Sequence, residues 1–288
     1  MKILAFEYAC AGGEGGELFF NDGLHMLTHL LRGLFKRRIG KISTMVFPEF
    51  GVDLLFADDV IKVHGDLFKT FTEEVERHDA VWIVAPETGG ILLRYTLAVE
   101  KAGKRLLGSS SSAVEICGNK LLTHMALKGV VPMPRTVPFD GTFPQYPCVV
   151  KPIDGAACDN TFFVADEADG RRFFAPDRKY VAQPFIEGTA MSAGVVSNGE
   201  RTVLLGVSRQ LVEMGRTVVF NGVEGPVDYS GVSRLEAIVR SVKEHVPGLE
   251  GYWGVDFIDA EEGPVLIEVN PRLTSSFPLY PELFKVFP

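Results

Sequence analysis

Residues 267–272 read Ile-Glu-Val-Asn-Pro-Arg, and this stretch decides which fold the sequence favours. Glu268 and Asn270 alternate with apolar residues, a period of two that is typical of a β-strand with both polar side chains on one face. Residues 255–257, Val-Asp-Phe, repeat the alternation, so Asp256 is expected to join them from a facing strand. Oxygen ligands of low total charge suit Mg²⁺, which completes its shell with water and substrate phosphates. The pattern therefore predicts a metal site of Asp256, Glu268 and Asn270.

Cationic residues extend this site along the chain. Arg272 directly follows the strand, where it can bind a phosphoryl or carboxylate group through two hydrogen bonds. Lys151 ends an apolar strand and precedes a loop of small residues, 152–157, in which Gly155 lies. Backbone amides of such a loop and an ammonium group can hold phosphates together. Lys120 lies in a helical segment, and either lysine alone would suit an exposed surface charge, but their joint order favours a nucleotide site.

A further segment, residues 183–188, reads Gln-Pro-Phe-Ile-Glu-Gly and ends a predicted strand. The mixture of apolar and acidic residues can bind a purine through backbone hydrogen bonds and a ribose through a carboxylate. The alternative interpretation is that Gln183 and Glu187 are ordinary polar residues of a turn. The candidate nucleotide contacts in this segment are Gln183, Phe185, Ile186 and Glu187.

Strands and helices alternate over residues 1–108. The order β-α-β-α-β-α-β predicts a doubly wound, Rossmann-like parallel sheet. Residues 109–288 differ: after two helical segments they consist of short strands with turns such as Ser197-Asn198-Gly199, interrupted by a helix over Val232–Val246. This pattern is typical of an α+β region built on antiparallel sheet. In the first region the predicted strands are 1–8, 43–50, 79–87 and 104–110, and the predicted helices are 21–38, 66–78 and 89–103.

The overall composition excludes several classes of protein. The 288 residues carry a net charge of −8, which disfavours nucleic-acid partners because these are bound by Lys and Arg. None of the four cysteines forms a Cys-x-x-Cys pair, so a zinc site is not expected. No stretch reaches the ~20 apolar residues that span a membrane, and no signal-peptide pattern is present. We expect a cytoplasmic protein with small-molecule partners, and a homodimer is one alternative for its oligomeric state.

The motifs together resemble the ATP-grasp superfamily. They are Lys120, Val-Val-Lys-Pro at 149–152, the segment at 183–188, Gly-Val-Asp-Phe at 254–257, and the stretch at 267–272. The resemblance covers the whole chain if residues 1–108 form the preceding α/β domain, with a central lid at 109–182 and a metal-binding C-terminal part at 183–288. Within the superfamily the chain is most similar to the tyramine–glutamate ligases of methanofuran biosynthesis, through Phe-Glu-Tyr-Ala, Val-Ala-Pro-Glu-Thr and Ile-Glu-Val-Asn-Pro-Arg-Leu-Thr-Ser-Ser.

This resemblance implies an ATP-dependent carboxylate–amine ligase. A carboxylate attacks the γ-phosphate of ATP, and an amine then attacks the acyl phosphate, as when L-glutamate and tyramine give γ-glutamyltyramine. Lys120 and Lys151 would hold the phosphates, and Arg272 would steady the γ-phosphoryl group or the acyl phosphate. The segment from Gln183 to Glu187 would line adenine and ribose. Asp256, Glu268 and Asn270 would bind one or two Mg²⁺ or Mn²⁺ ions.

The chain departs from the family pattern at two places. Many peptide-forming relatives carry Arg two residues before the metal Asp, where this chain has Gly254. Arg272 or Arg209 must then supply that cation. Many relatives also have a ribose-binding Glu shortly after the glycine of the hinge, where this chain has Thr-Ala-Met-Ser at 189–192, which leaves Glu187 as the ribose candidate.

Candidate substrate contacts come from two regions. Glu7 and Glu87 end strands of the first sheet, where open α/β sheets bind ligands, so either could bind the ammonium of an amine or amino acid. The structural alternatives are a satisfied loop carboxylate for Glu7 and a helix N-terminal charge for Glu87. Thr274 and Ser275, just beyond Arg272, are the other candidates.

The glycine-rich loop Ala-Gly-Gly-Glu-Gly-Gly at 11–16 fits neither Gly-x-Gly-x-x-Gly nor the P-loop. It is expected to be a mobile wall of the acceptor pocket or a flexible surface loop. Three other functions stay open on the sequence: a ligase for other amino acids or peptides, a nucleotide-binding protein without turnover, and a dinucleotide-dependent oxidoreductase.

Overall fold

The computed structural model describes residues 1–52, 54–143, 145–155, 158–172, 179–199 and 201–286. Its first five strands form a wholly parallel sheet in the order β3-β2-β1-β4-β5. These strands are β1 (Lys2–Glu7), β2 (Lys41–Val46), β3 (Asp59–Lys62), β4 (Ala80–Val84) and β5 (Arg105–Leu106). The connecting helices are α1 (Phe20–Arg37), α2 (Leu67–Arg77) and α3 (Ile91–Lys101). The predicted doubly wound parallel sheet is confirmed.

Alternation along β1 explains why helices cover both faces of this sheet. Ile3 and Ala5 pack into one core with α1, whereas Leu4 and Phe6 pack into a second core with α2 and α3. Successive side chains of a strand point to opposite faces, so a strand that is apolar throughout is buried on both sides.

Two details of this sheet differ from the sequence prediction. The second strand ends at Val46 and does not continue to residue 50, because Pro48–Phe50 form a 3₁₀ turn. Proline lacks the N–H that would extend the strand ladder. Strand β3 was not predicted; it has only four residues, lies at the sheet edge and begins and ends with charged residues.

Two short helices, α4 (Ser111–Cys117) and α5 (Lys120–Leu127), lead into a four-stranded antiparallel sheet. We call this sheet the lid sheet. The side chain of Asn119 caps α5 by accepting hydrogen bonds from the N–H groups of Leu121 and Leu122, which makes Lys120 the first residue of the helix. The lid sheet has the order β6-β9-β7-β8, with β6 (Val137–Phe139), β7 (Cys148–Pro152), β8 (Phe162–Val164) and β9 (Tyr180–Pro184); α6 (Glu167–Arg172) follows β8.

The remaining strands form a five-stranded antiparallel sheet in the order β12-β11-β10-β13-β14, which we call the C-terminal sheet. Strands β10 and β11 pair antiparallel as predicted, although Ser197 and Asn198 of the predicted turn still belong to β10, and the predicted helix is present as α7. The elements are β10 (Thr189–Asn198), β11 (Arg201–Met214), β12 (Val218–Val227), α7 (Val232–His245), β13 (Gly251–Ala260), β14 (Gly263–Asn270) and α8 (Leu283–Val286).

The helices α4 and α5 belong to the core of this last sheet. Ala113, Cys117 and Leu127 share a buried cluster with Trp253 of β13 and residues of α7. The boundary expected at residue 182 falls inside β9. The division into 1–108, 109–182 and 183–288 therefore remains a proposal.

A C-terminal tail, residues 273–283, returns to the first sheet. Phe277, Tyr280 and Leu283 join the core that Leu27 and Leu30 of α1 form against the parallel sheet. The tail ties the five-stranded antiparallel sheet to the N-terminal domain through shared apolar burial. Among the described residues, every helix is too short or too polar to span a lipid bilayer.

Candidate active site

A cavity of about 240 Å³ lies between the lid sheet and the C-terminal sheet. The two sheets meet beside it, because Phe163 donates its N–H to the carbonyl of Arg216 and Val218 donates to that of Thr161. Most of the residues that the sequence singled out line this cavity. They are Lys120, Lys151, Gly155, Gln183, Phe185, Ile186, Asp256, Glu268, Asn270, Arg272, Thr274 and Ser275.

Two carboxylates face each other at its floor. Asp256 of β13 pairs in register with Glu268 of β14, and Asn270 donates its amide Nδ2 to Asp256 Oδ2 at 2.9 Å. Burial and the charge of Glu268 raise the pKa of Asp256 to about 6. Among the described residues, no cluster of three His, Cys, Asp or Glu forms here. Two facing carboxylates and an amide oxygen form an all-oxygen donor set that fits Mg²⁺.

Two buried lysines stand opposite the carboxylates. Lys120 Nζ donates to the carbonyl of Gly155 at 2.7 Å and lies 2.9 Å from Glu268 Oε1. Lys151, at the end of β7, has its pKa lowered to about 8, first by burial and then by Lys120, against the attraction of Glu268. Burial disfavours the Glu268 carboxylate, but the two lysines outweigh it and lower its pKa. Positive and negative groups thus share one cavity, as a metal–phosphate ligand requires.

The segment after β9 forms an apolar wall. Phe185 and Ile186 line the cavity, and the ring of Phe185 packs edge-on against Phe163 at 5.3 Å between centroids. Gln183 is buried, and its Nε2 donates to Thr136 Oγ1 at 2.8 Å, so its side chain already has a partner. Glu187 is exposed and is not among the residues that line the cavity.

Arg272 connects the site to the N-terminal domain. Its Nη2 donates to Glu87 Oε2 at 2.7 Å, and its Nη1 donates to the carbonyl of Leu273 at 3.0 Å. Glu87 is buried and follows β4. Neither of the alternatives for Glu87, an ammonium ligand or a helix N-terminal charge, included an arginine partner.

Glu7 also has protein partners. Cys10 donates its N–H to Glu7 Oε2 at 2.6 Å, and the carboxylate lies against Gly23, where an added Cβ would be 2.6 Å away. Burial raises the pKa of Glu7. This placement favours the structural alternative, a satisfied carboxylate that closes the turn after β1.

Position 254 is glycine where an arginine is common in the family pattern, so either Arg209 or Arg272 would have to supply that positive charge. Arg209 lies on β11 as a half-exposed side chain 4.0 Å from Glu224 and does not line the cavity, whereas Arg272 does. Gly254 is opposite Asn270 in the sheet, and a Cβ at Gly254 would lie 2.6 Å from Thr274 Cγ2. The methyl group of Thr274 occupies the space that a side chain at 254 would need.

The glycine-rich loop at 11–16 does not line the cavity. Gly12 and Gly15 have φ angles of 85° and 70°, which a residue with a Cβ rarely adopts. The ring of Tyr8 lies directly against Gly13. Both interpretations of this loop, an acceptor-pocket wall or a surface loop, stay open.

The sequence did not predict two features of the site: part of the cavity wall, and one contact of the loop that follows Lys151. The cavity is also lined by Val212, Met214 and Phe220 of the long β11–β12 hairpin. Their spacing is that of an ordinary strand, so it gave no signal of this role. Asp154 Oδ2 accepts the N–H of Gly89 at 2.9 Å. Ala156 and Ala157 of the predicted small-residue loop lie outside the described residues.

Comparison with known proteins places these features in a family. Residues 117–276 match the model of the ATP-grasp domain, and residues 54–114 match that of the pre ATP-grasp 3 domain. The chain is 30% identical over 282 residues to the tyramine–L-glutamate ligase of Methanocaldococcus jannaschii, covering 95% of this chain and 83% of that protein.

Solved structures agree in fold. A protein from Archaeoglobus fulgidus, assigned to the ATP-grasp superfamily, superposes with a TM-score of 0.76 at 28% identity, covering 99% of this chain and 88% of that one. The L-amino acid ligase of Bacillus licheniformis superposes with a TM-score of 0.69 at 17% identity, covering 99% and 74%, which shows a shared fold.

Proposed function

This chain belongs to the ATP-grasp family, and on that premise we propose that it is an ATP-dependent carboxylate–amine ligase that joins L-glutamate to tyramine. The observation that carries the proposal is the pairing of Lys120 and Lys151 with Asp256 and Glu268 around one cavity. Cations that hold phosphates and oxygens that hold a metal are the two parts that phosphoryl transfer needs in one place.

The first step is phosphorylation of the acid. A carboxylate oxygen attacks the γ-phosphorus of ATP, the bond to the β-phosphate oxygen breaks, and ADP leaves. Lys120 and Lys151 hold the phosphates, and Arg272, which lines the cavity, contacts the γ-phosphoryl group. Each guanidinium or ammonium contact offsets negative charge that grows in the transition state. Asp256, Glu268 and Asn270 would hold one or two Mg²⁺ or Mn²⁺ ions, which when bound supply positive charge to the phosphate oxygens.

The second step forms the amide. The amine nitrogen attacks the carbonyl carbon of the acyl phosphate, the carbon–oxygen bond to phosphate breaks, and inorganic phosphate and a proton leave. Thr274 and Ser275 are proposed to contact the substrate that supplies the carboxylate, since both line the cavity next to Arg272. Ser275 is partly exposed, whereas Thr274 Oγ1 already bonds Tyr252 and Ser276. The carboxylate roles proposed for Glu7 and Glu87 have less support, because both carboxylates have protein partners.

The adenine is proposed to lie on the wall of Phe185 and Ile186. Ribose binding by Glu187 has no support from its exposed position, so we propose no ribose carboxylate. The reaction is placed in the cytoplasm, a proposal supported by four cysteines that are all free thiols.

The choice of substrates rests on the relative named tyramine–L-glutamate ligase, and the amide at the γ-carboxyl group is part of the proposal. Incubation with ATP, Mg²⁺, L-glutamate and tyramine, followed by mass spectrometry, should give γ-glutamyltyramine with one ADP per amide. Formation of product only with another acid or amine would keep the ligase and replace its substrates. Nucleotide binding without ADP release across a panel of acids and amines would contradict the ligase itself.

A further inference from the structure

The loop between β4 and α3, residues 85–90, contacts the segment that follows β14 and the loop that follows β7. Its Glu87 accepts a hydrogen bond at 2.7 Å from Arg272, which follows β14. Its Gly89 donates an N–H at 2.9 Å to Asp154, in the loop that follows β7 of the lid sheet. We call this loop the junction loop. Through these two hydrogen bonds the N-terminal domain contacts residues that follow a strand of each of the two sheets beside the cavity.

The Glu87–Arg272 contact fixes the direction of a buried guanidinium. The side chains are 6% and 13% exposed, so neither can exchange its partner for bulk water at low cost. Nη2 bonds Glu87 and Nη1 bonds the carbonyl of Leu273, so two nitrogens of the group are held from different sides. A planar guanidinium with two fixed nitrogens has little freedom to rotate.

The second contact of the junction loop comes from the loop that follows Lys151. Asp154 lies in this loop, and the next residue, Gly155, accepts a hydrogen bond from Lys120. The hydrogen bond from Gly89 to Asp154 forms only when this loop lies against the N-terminal domain. Gly89 and Gly90 have φ angles of 63° and 69°, so the junction loop has a backbone shape that glycine makes possible.

We infer that Glu87 is a positioning residue for Arg272, and that Asp154 holds the junction loop in the shape that presents Glu87. The inference rests on the proposed function, since Arg272 is its phosphoryl contact. The N-terminal domain then contributes to phosphorylation of the acid indirectly, because its Glu87 orients Arg272 of the C-terminal part. The phosphate-binding loop of the lid sheet and the orientation of Arg272 then depend on each other.

The test compares Glu87→Gln and Glu87→Asp with the wild-type protein. Gln keeps the size of the side chain and removes its charge, and we expect kcat to fall about 100-fold, the effect of a misplaced catalytic group, with the KM for ATP unchanged. Asp keeps the charge and should restore part of kcat. If Glu87 acts through Arg272, the double variant Glu87→Gln/Arg272→Gln is no slower than Arg272→Gln alone. Additive losses, or a kcat equal to that of the wild type in Glu87→Gln, overturn the inference.

Asp154 is tested in the same assay. Asp154→Ala should lower kcat about fivefold, the loss expected for one ordinary hydrogen bond, and Asp154→Asn, which still accepts from Gly89, should restore it. The matched control is Asp140→Ala, since the hydrogen bonds that Asp140 makes with the described residues go to Thr142 of its own loop. Equal effects of Asp154→Ala and Asp140→Ala contradict the role of Asp154.

One readout does not depend on turnover. Phenylglyoxal modifies accessible arginines, and peptide mass spectrometry measures its rate at Arg272. Glu87→Gln should raise this rate several-fold relative to Glu49→Gln, which changes an exposed glutamate of the same domain. An unchanged rate overturns the positioning role. A wild-type protein that releases no ADP with any acid and amine contradicts the proposed function instead, which separates the two failures.

Discussion

Lys120 Nζ lies 2.9 Å from Glu268 Oε1, so the first residue of α5 is an ionic partner of strand β14. The same ammonium donates a hydrogen bond to the carbonyl of Gly155, in the loop that follows β7 of the lid sheet. One side chain therefore contacts both walls of the cavity, and the charge of Glu268 is balanced from outside its own sheet.

Glu268→Gln should separate nucleotide binding from turnover. The amide keeps the shape of the side chain but weakens the metal site, so we expect ADP formation to fall at least about 100-fold, as for loss of one electrostatic contact to the transition state. ATP affinity, measured by titration calorimetry, should change only a few-fold because both lysines remain. Glu261→Gln, in the exposed turn between β13 and β14, is the control. Full activity of Glu268→Gln would remove this residue from the metal site.

ATP affinity should fall as pH rises through about 8. The pKa of Lys151 is lowered to about 8 from its ordinary 10.5, so its ammonium loses the proton within this range. If only the ammonium form binds phosphate, affinity weakens about tenfold between pH 7 and pH 9. Calorimetry in two buffers of different ionisation enthalpy should show proton uptake on binding near pH 8. Lys151→Arg, which stays charged, should flatten the dependence, and a flat wild-type profile would contradict the prediction.

Asp256→Asn should stabilise the metal-free protein at pH 8. The pKa of Asp256 is raised to about 6 from 3.8, so the folded state holds the proton more tightly than the unfolded chain. That contribution to stability is complete below about 3.8 and is lost as pH rises through about 6. Asn is neutral at every pH, so the melting temperature should rise by about 3 °C at pH 8 and stay unchanged near pH 4. Asp228→Asn, at an exposed carboxylate, is the control and should give no such pH dependence.

Gly254→Ala should destabilise the protein through a single methyl contact. The new Cβ would lie 2.6 Å from Thr274 Cγ2, and overpacking of this kind costs about 1–3 kcal/mol. Thr274→Ser removes that methyl group and keeps the hydroxyl that bonds Tyr252. The double variant Gly254→Ala/Thr274→Ser should therefore recover most of the free energy of unfolding, measured by urea denaturation. Additive losses in the double variant would refute the steric explanation.

Alternation and order in the sequence predicted the two larger sheets and twelve of the residues that line the cavity. Asp256, Glu268 and Asn270 come together because strand periodicity and hairpin pairing are local rules, and Lys151 follows from the strand that it ends. The same reasoning extended the second strand through Pro48 and omitted β3, since a four-residue edge strand has too few residues to show a period.

The contact of Glu87 with Arg272 could not be predicted in this way. It joins residues of different sheets, and no periodicity links elements that are so far apart in the chain. Arg209 and Glu187 were plausible by residue type, but their exposure depends on which way each strand or loop faces after packing. From the sequence, Gly254 was notable only because many relatives have arginine at this position. The structure shows that the methyl group of Thr274 lies where a side chain at position 254 would be.

The tail at residues 273–283 also affects how the protein is made. On the ribosome, the first sheet and α1 emerge early, yet the core between them still lacks Phe277, Tyr280 and Leu283. Leu27 and Leu30 of α1 share that core, so their packing with the first sheet is completed only when the tail is synthesised. Until then the core of the N-terminal domain is incomplete, and exposed apolar surface of this kind favours chaperone binding and aggregation.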